Sequence, residues 1–136
     1  MKVLVFGAFD RLHPGHESFL RQARELGDHL TVALACDKII EQLKGRGPVQ
    51  NFNARKDALQ TLAEVDEVVA GDNQLGQYSI LQNDQYDIIA LGYDQNKLKD
   101  DLERWFKTHD QNIAIKLLKP FKPEKYKSTI LRYDRP

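Results

Sequence analysis

The chain has 136 residues, a length that can bury a hydrophobic core without disulfides or metals, so we expect one domain spanning residues 1–136. Its 20 Lys and Arg residues balance its 20 Asp and Glu residues. This balance argues against bulk electrostatic binding to nucleic acid or to an anionic membrane, so we expect neither as a partner.

The amino-terminal apolar segment is too short for a signal peptide or a membrane span, because Asp10 and Arg11 interrupt it. The single cysteine, Cys36, excludes an internal disulfide and suits a reducing compartment. Its apolar neighbours predict a small buried side chain and not a nucleophile. We therefore expect a soluble cytoplasmic protein.

Short apolar segments rich in β-branched residues alternate along the chain with amphipathic segments. The predicted strands are residues 2–7, 30–36, 67–70, 87–91 and 113–118. The predicted helices are residues 16–26, 37–43, 54–63, 78–82 and 97–108. Asn53 and Asn96 are the predicted N-caps of the third and fifth helices. This alternation predicts an α/β fold: a single-domain, Rossmann-like parallel sheet of about five strands with helices on both faces.

The histidine-bearing stretch after the first predicted strand is the most informative part of the chain. Residues 3–7 are apolar and stop at Gly7, as expected for a strand buried on both faces. Residues 16–26 have helical spacing, so His13 and His16 lie where a strand ends and a helix begins. Free backbone N–H groups and the helix dipole favour anions there. Two imidazoles in that place indicate phosphate chemistry.

Two other interpretations of the histidine pair remain open. Paired histidines also occur as zinc ligands, but zinc needs a third or fourth ligand at matching spacing. Beyond the pair, the chain offers only His29, His109 and Cys36, with no Cys-x-x-Cys or His-x-x-x-His motif. The pair can also be purely structural, as a helix cap or as surface residues. We expect phosphate binding and no metal held by protein side chains.

The loops after the predicted strands are where a parallel sheet binds its ligands, at the point where the strand order reverses. These loops are residues 7–15, 35–38, 71–73, 91–96 and 119–127. A basic, glycine-rich segment, Lys44-Gly45-Arg46-Gly47-Pro48, is long enough to close over a bound ligand.

The segment Gly7-Ala8-Phe9-Asp10 followed by His13-Pro14-Gly15-His16 resembles the signature of the cytidylyltransferase-like nucleotidyltransferases. Further matching positions follow the later strands: Asp37, Lys44-Gly45-Arg46, Arg55, Leu91-Gly92-Tyr93-Asp94-Gln95 and Lys127-Ser128-Thr129-Ile130-Leu131-Arg132. The family usually has Thr in place of Ala8 and a longer final Ser/Thr cluster. Within the family, the loops at residues 44–46 and 91–95 are most similar to those of archaeal-type FAD synthases.

The resemblance implies transfer of a nucleoside monophosphate from a nucleoside triphosphate to an acceptor phosphate, with release of pyrophosphate. It implies three catalytic residues, His13, His16 and Lys44. The implied nucleotide-binding residues are Phe9, Asp10, Gly15, Gly92, Asp94, Gln95, Ser128, Thr129 and Arg132. The implied acceptor-binding residues are Asp37, Arg46 and Arg55, and either Lys122 or Lys125 meets phosphate.

The implied substrates are ATP or CTP, with Mg²⁺ on the triphosphate, and a phosphorylated acceptor. FMN is the leading acceptor, which makes the protein an FMN adenylyltransferase. The alternative is a cytidylyltransferase acting on a small phosphorylated alcohol such as glycerol 3-phosphate. An alternative of another class is a non-catalytic nucleotide-binding module. The resemblance also implies a possible homodimer, and the loop aromatics predicted to line a flavin slot are Phe9, Tyr93, Phe121 and Tyr126.

Overall fold

The structure, a computed structural model, describes residues 1–121, in which every two consecutive strands are separated by one helix or, once, by two. The strands are β1 (Lys2–Gly7), β2 (His29–Leu34), β3 (Glu67–Ala70), β4 (Ile88–Leu91) and β5 (Ala114–Leu117). The helices are α1 (Pro14–Glu25), α2 (Asp37–Lys44), α3 (Phe52–Gln60), α4 (Ser79–Asn83) and α5 (Asn96–His109). The predicted alternation is confirmed.

The five strands form one parallel sheet in the order β3-β2-β1-β4-β5. The chain first moves outward from β1 to β3 and then returns to β4, which pairs with the other side of β1. The order therefore reverses at β1 and β4, where open α/β sheets form their ligand crevice. The predicted parallel sheet is confirmed, and its reversal point lies at the strand that leads to the histidines.

Side chains of β1 alternate between two hydrophobic clusters, one on each face of the sheet. Val3 and Val5 pack in a cluster with Leu20 of α1 and Leu59 of α3. Leu4 packs on the opposite face, in a cluster with buried residues of α4 and α5 such as Leu81, Leu102 and Trp105. Because successive strand residues point to opposite faces, a continuous apolar segment is what a doubly covered strand requires. Helices on both faces are thus confirmed.

Three local predictions differ from the structure. Asn51, and not Asn53, is the N-cap of α3: its Oδ1 accepts a hydrogen bond from the N–H of Ala54 at 2.9 Å. Asn96 is the first residue of α5 and not its cap. Cys36 is half-buried and not buried, because it lies in the loop between β2 and α2.

The helices within residues 1–121 are short, and α5 has the most residues, 14. None of those helices combines the length and the apolar character needed to cross a membrane.

Candidate active site

His13 is the N-cap of α1, at the junction predicted from the sequence. Its backbone is extended, and its Nδ1 accepts a hydrogen bond from the N–H of Gly15 at 3.1 Å. Pro14 occupies the first turn, where its missing N–H costs nothing. Since Nδ1 is the acceptor, a neutral His13 carries its ring proton on Nε2, as a hydrogen-bond donor. The helix cap thus fixes which ring nitrogen can donate to a ligand.

His16 lies in the first turn of α1 with its ring stacked on that of His13. The two ring centroids are 3.7 Å apart, and Phe9 contacts His16 edge-on at a centroid distance of 5.4 Å. Burial lowers the pKa of His16 to about 4, and the charges of His13 and Lys44 act in the same direction. His16 is therefore a neutral imidazole at pH 7. Its Nδ1 is buried and lacks a hydrogen-bond partner among the described residues, whereas most buried polar atoms of folded proteins have one.

We expect acid to destabilise the free protein through His16. The His16 side chain has a pKa of 6.5 in the unfolded chain and of about 4 in the folded protein. Between these two pH values the unfolded state therefore binds more protons than the folded state. The contribution of neutral His16 to the free energy of unfolding is fully present above pH 6.5. It is lost as the pH falls towards 4, by up to about 3 kcal/mol. Urea unfolding midpoints at pH 7, 6, 5 and 4.5 measure this dependence.

The matched comparison for this pH dependence is His16→Gln, which removes the titrating ring. The variant should lose less stability than the unchanged protein between pH 6.5 and 4.5, because the glutamine side chain does not titrate in this range. Identical pH dependence of the unchanged protein and His16→Gln would contradict the assigned pKa.

The loop between β1 and α1 is held in an unusual conformation. Phe9 and Arg11 have positive φ angles of 48° and 57°, which are uncommon for residues other than glycine. Asp10, between them, accepts hydrogen bonds from the N–H groups of Val49 at 2.7 Å and Gln50 at 2.8 Å. Burial alone raises the pKa of Asp10, but these N–H groups outweigh it and hold the pKa below its ordinary value. Asp10 thus fastens the strained loop to residues 49–50.

Arg55 is fully buried and ties three segments of the site together. It donates hydrogen bonds to the carbonyl oxygens of Gln50, Ala8 and Ala35 at 3.0, 3.0 and 2.7 Å. Its Nη2 also pairs with Oδ1 of Asp37 at 2.5 Å. Neither Arg55 nor Asp37 lines the cleft. The predicted acceptor contact of Arg55 does not fit this geometry, because its guanidinium is already engaged by the protein and shielded from solvent. The predicted acceptor contact of Asp37, whose side chain is 47% exposed, stays a prediction.

The loop after β4 is closed by the side chain of Gln95. Its Oε1 accepts a hydrogen bond from the N–H of Gly92 at 2.8 Å, and its Nε2 donates to the carbonyl oxygen of Phe6 at 3.3 Å. A Cβ on Gly92 would lie 3.0 Å from Oδ1 of Asp94, a distance that few real contacts reach. The loop therefore packs tightly beside the end of β1 and presents Asp94 and Tyr93 to solvent.

An open cleft at the carboxyl ends of the strands belongs to a cavity of about 2520 Å³, which also extends to Glu67 and Tyr86 near the amino ends of β3 and β4. The predicted site residues that line the cleft are Phe9, Asp10, His13, Gly15, His16, Lys44, Arg46, Gly92, Asp94 and Gln95. Six predicted positions lie outside the described residues: Lys122, Lys125, Tyr126, Ser128, Thr129 and Arg132.

Within residues 1–121, no group of three or more His, Cys, Asp or Glu side chains is arranged to hold a metal ion.

Sequence reasoning missed Val49 and Gln50, whose backbone N–H groups hold Asp10. It could not have found them, because backbone donors carry no signal in the side-chain pattern and lie 39 and 40 residues from Asp10.

A parallel sheet that reverses order at β1, with stacked histidines at the start of the next helix, defines a class of α/β enzymes that bind nucleotide phosphates. The chain belongs to the cytidylyltransferase-like family, whose model matches residues 4–133. It is therefore a nucleotidyltransferase, as the resemblance in its motifs predicted.

The relatives of this chain include FAD synthases. The FAD synthase of Thermococcus sibiricus is 40% identical over 99% of this chain and 88% of the relative. The FAD synthase of Aciduliprofundum boonei is 36% identical over 89% of this chain and 80% of the relative. Among crystal structures, the lipopolysaccharide core biosynthesis protein of Thermoplasma volcanium matches with a TM-score of 0.80 at 28% identity, covering 90% of this chain and 98% of that one.

Proposed function

We propose that this protein is an FMN adenylyltransferase, which joins the AMP moiety of ATP to the phosphate of FMN and releases pyrophosphate. The observation that carries the proposal is the stacked pair of His13 and His16 at the start of α1, in the cleft at the carboxyl ends of the strands. The FAD synthases among the relatives support the choice of ATP and FMN.

The reaction requires that the two substrates are positioned and that developing charge is stabilised, and it requires little activation of the nucleophile. A phosphate oxygen of FMN is already a nucleophile near pH 7, so no base or covalent enzyme intermediate is needed. That oxygen attacks the α-phosphorus of ATP, and the bond to the β-phosphate oxygen breaks, so that pyrophosphate leaves with the electron pair. The imidazoles of His13 and His16 donate hydrogen bonds to phosphate oxygens as charge develops on them. The amino end of α1 adds its partial positive charge.

Two cations of the cleft, Lys44 and Arg46, complement the histidines. Lys44 ends α2, and its charge reaches His16 closely enough to contribute to the lowered pKa of that ring. In our proposal Lys44 and Arg46 hold the acceptor phosphate or the leaving pyrophosphate, while Ser128, Thr129 and Arg132 hold the outer phosphates of ATP.

Magnesium enters the proposal as part of the substrate. Mg²⁺ keeps several waters and binds well to phosphate oxygens, and the described residues provide no carboxylate cluster for it. In our proposal, the triphosphate of ATP brings Mg²⁺ into the site. Because ATP and FMN are cytoplasmic metabolites, we also place the reaction in the cytoplasm.

The proposal predicts pyrophosphate release from MgATP that depends on FMN, with FAD as the second product. Pyrophosphate release and chromatography of the flavins measure both, with four mixtures: ATP or CTP, each with FMN or glycerol 3-phosphate. Release with CTP and glycerol 3-phosphate, and none with FMN, would replace this proposal by the cytidylyltransferase alternative. No release from any mixture, together with thermal stabilisation by a nucleotide, would favour a non-catalytic nucleotide-binding module.

A further inference from the structure

Gln50 is hydrogen-bonded to the elements around the histidines through its N–H, its carbonyl oxygen and its side chain. Its N–H donates to Oδ1 of Asp10 at 2.8 Å, and its Oε1 accepts the N–H of Arg11 at 3.0 Å. Its carbonyl oxygen accepts a hydrogen bond from Nε of Arg55 at 3.0 Å. Gln50 does not itself line the cleft. A residue outside the cleft thus joins the loop before α1 to the buried guanidinium of α3.

The side chain of Gln50 bonds to a strained part of this loop. Phe9 and Arg11 have positive φ angles of 48° and 57°, which cost free energy in residues that carry a side chain. Such a conformation persists only where its surroundings hold it in place. The N–H of Arg11 is bonded to Oε1 of Gln50, and the carboxylate between the two strained residues, Asp10, is bonded to the N–H of Gln50. Gln50 therefore holds the strained loop at two consecutive residues.

Phe9 connects the conformation of this loop to His16. Phe9 is only 5% exposed, and its ring contacts the rings of His16 and Phe19 at centroid distances of 5.4 and 6.1 Å. It therefore offers little surface to the flavin slot expected from the sequence. Burial is the largest cause of the lowered pKa of His16, and the ring of Phe9 is part of what buries it. A change in the backbone angle of Phe9 would move this ring and admit water to His16.

We propose that Gln50 is a positioning residue of the active site: it holds residues 9–11 in their strained conformation, and through Phe9 it keeps the ring of His16 covered and in place. The consequence for turnover rests on the proposed function. Gln50 touches neither substrate in this proposal, because it lies outside the cleft. It acts on the reaction only through the loop that it holds.

Gln50→Met tests the proposal, because methionine has a similar length but only a weakly accepting sulfur in place of Oε1. The pKa of His16, followed by NMR through its ring Cε1 proton, should rise from about 4 towards the ordinary value of 6.5. The substitution removes none of the charged groups that act on this ring, which are His13, Lys44 and Asp10. The kcat of pyrophosphate release should fall about tenfold or more, as expected for a displaced catalytic group, while the KM values change little.

Asp87→Ala is the matched control, because it removes the same kind of hydrogen bond at the other end of β1. Oδ2 of Asp87 accepts the N–H of Lys2 at 2.8 Å, and Asp87 does not line the cleft. Both variants should remain folded with a modest fall in Tm, measured by thermal unfolding. Only Gln50→Met should change the pKa of His16 and the kcat. A loss of stability alone would affect the two variants alike.

The outcomes separate this inference from the proposed function. If the unchanged protein releases no pyrophosphate with FMN, the proposed function fails, and the pKa of His16 still shows whether Gln50 holds the loop. If the unchanged protein is active, but Gln50→Met has the kcat of Asp87→Ala, Gln50 does not position the site and the proposed function stands. An unchanged pKa of His16 in folded Gln50→Met would also overturn the inference.

Discussion

Replacing His16 by alanine should lower the kcat of pyrophosphate release by about a hundredfold or more. In the proposed reaction, the neutral imidazole of His16 donates a hydrogen bond to charge that grows as the α-phosphorus becomes five-coordinate, so its loss destabilises the transition state more than the bound substrate. Steady-state kinetics with MgATP and FMN give kcat and both KM values. We expect kcat to fall while the KM for ATP changes little.

His109→Ala is the control for this experiment, because His109 ends α5 and stacks on Trp105 away from the cleft. Its kcat should remain near that of the unchanged protein. A His16→Ala enzyme with normal kcat and only a raised KM for ATP would reassign His16 from catalysis to ground-state binding.

Replacing Arg55 by methionine should destabilise the fold by about 3 kcal/mol, since buried carbonyl oxygens and one carboxylate lose their partner. Part of the full cost of a broken buried pair is avoided, because the Asp37 side chain is 47% exposed and can be hydrated. For a chain of this size the change corresponds to a fall in Tm of roughly 10 °C. Thermal unfolding followed by circular dichroism measures it.

Arg104→Met is the matched control, because Arg104 also pairs with an aspartate, Asp101, but is 70% exposed. An exposed ion pair of this kind contributes roughly 0–1 kcal/mol, so the Tm of this variant should barely change. Equal Tm shifts in the two variants would show that burial of Arg55 does not stabilise the site in the way described.

The sheet could be predicted from the sequence because its signals are local. Each strand is a short apolar segment between turn residues, and each helix has its own periodicity, so no knowledge of distant contacts is required. The histidine pair could be predicted for the same reason, because His13 and His16 are three positions apart and both lie shortly after the end of the first strand. A junction of this kind is recognisable before the fold is known.

The burial of Arg55 and the position of α2 beside the cleft could not be predicted, because both depend on which segments meet in space. Arg55 bonds to residues 18, 20 and 47 positions away, apart from its contact with the nearby Gln50. Its sequence neighbours indicate only a charged residue at the start of a helix, where exposure is the ordinary expectation. The periodicity of α2 likewise reveals an apolar face, but not that this face borders the cleft.

The hydrogen bond between Gly15 and His13 also makes one backbone amide a reporter of the active site. Because the cap depends on the orientation of the His13 ring, a ligand that turns the ring away from Gly15 removes this hydrogen bond and loosens the first turn of α1. The hydrogen-exchange rate of one nucleus, the Gly15 amide proton, then reports contact between a ligand and His13.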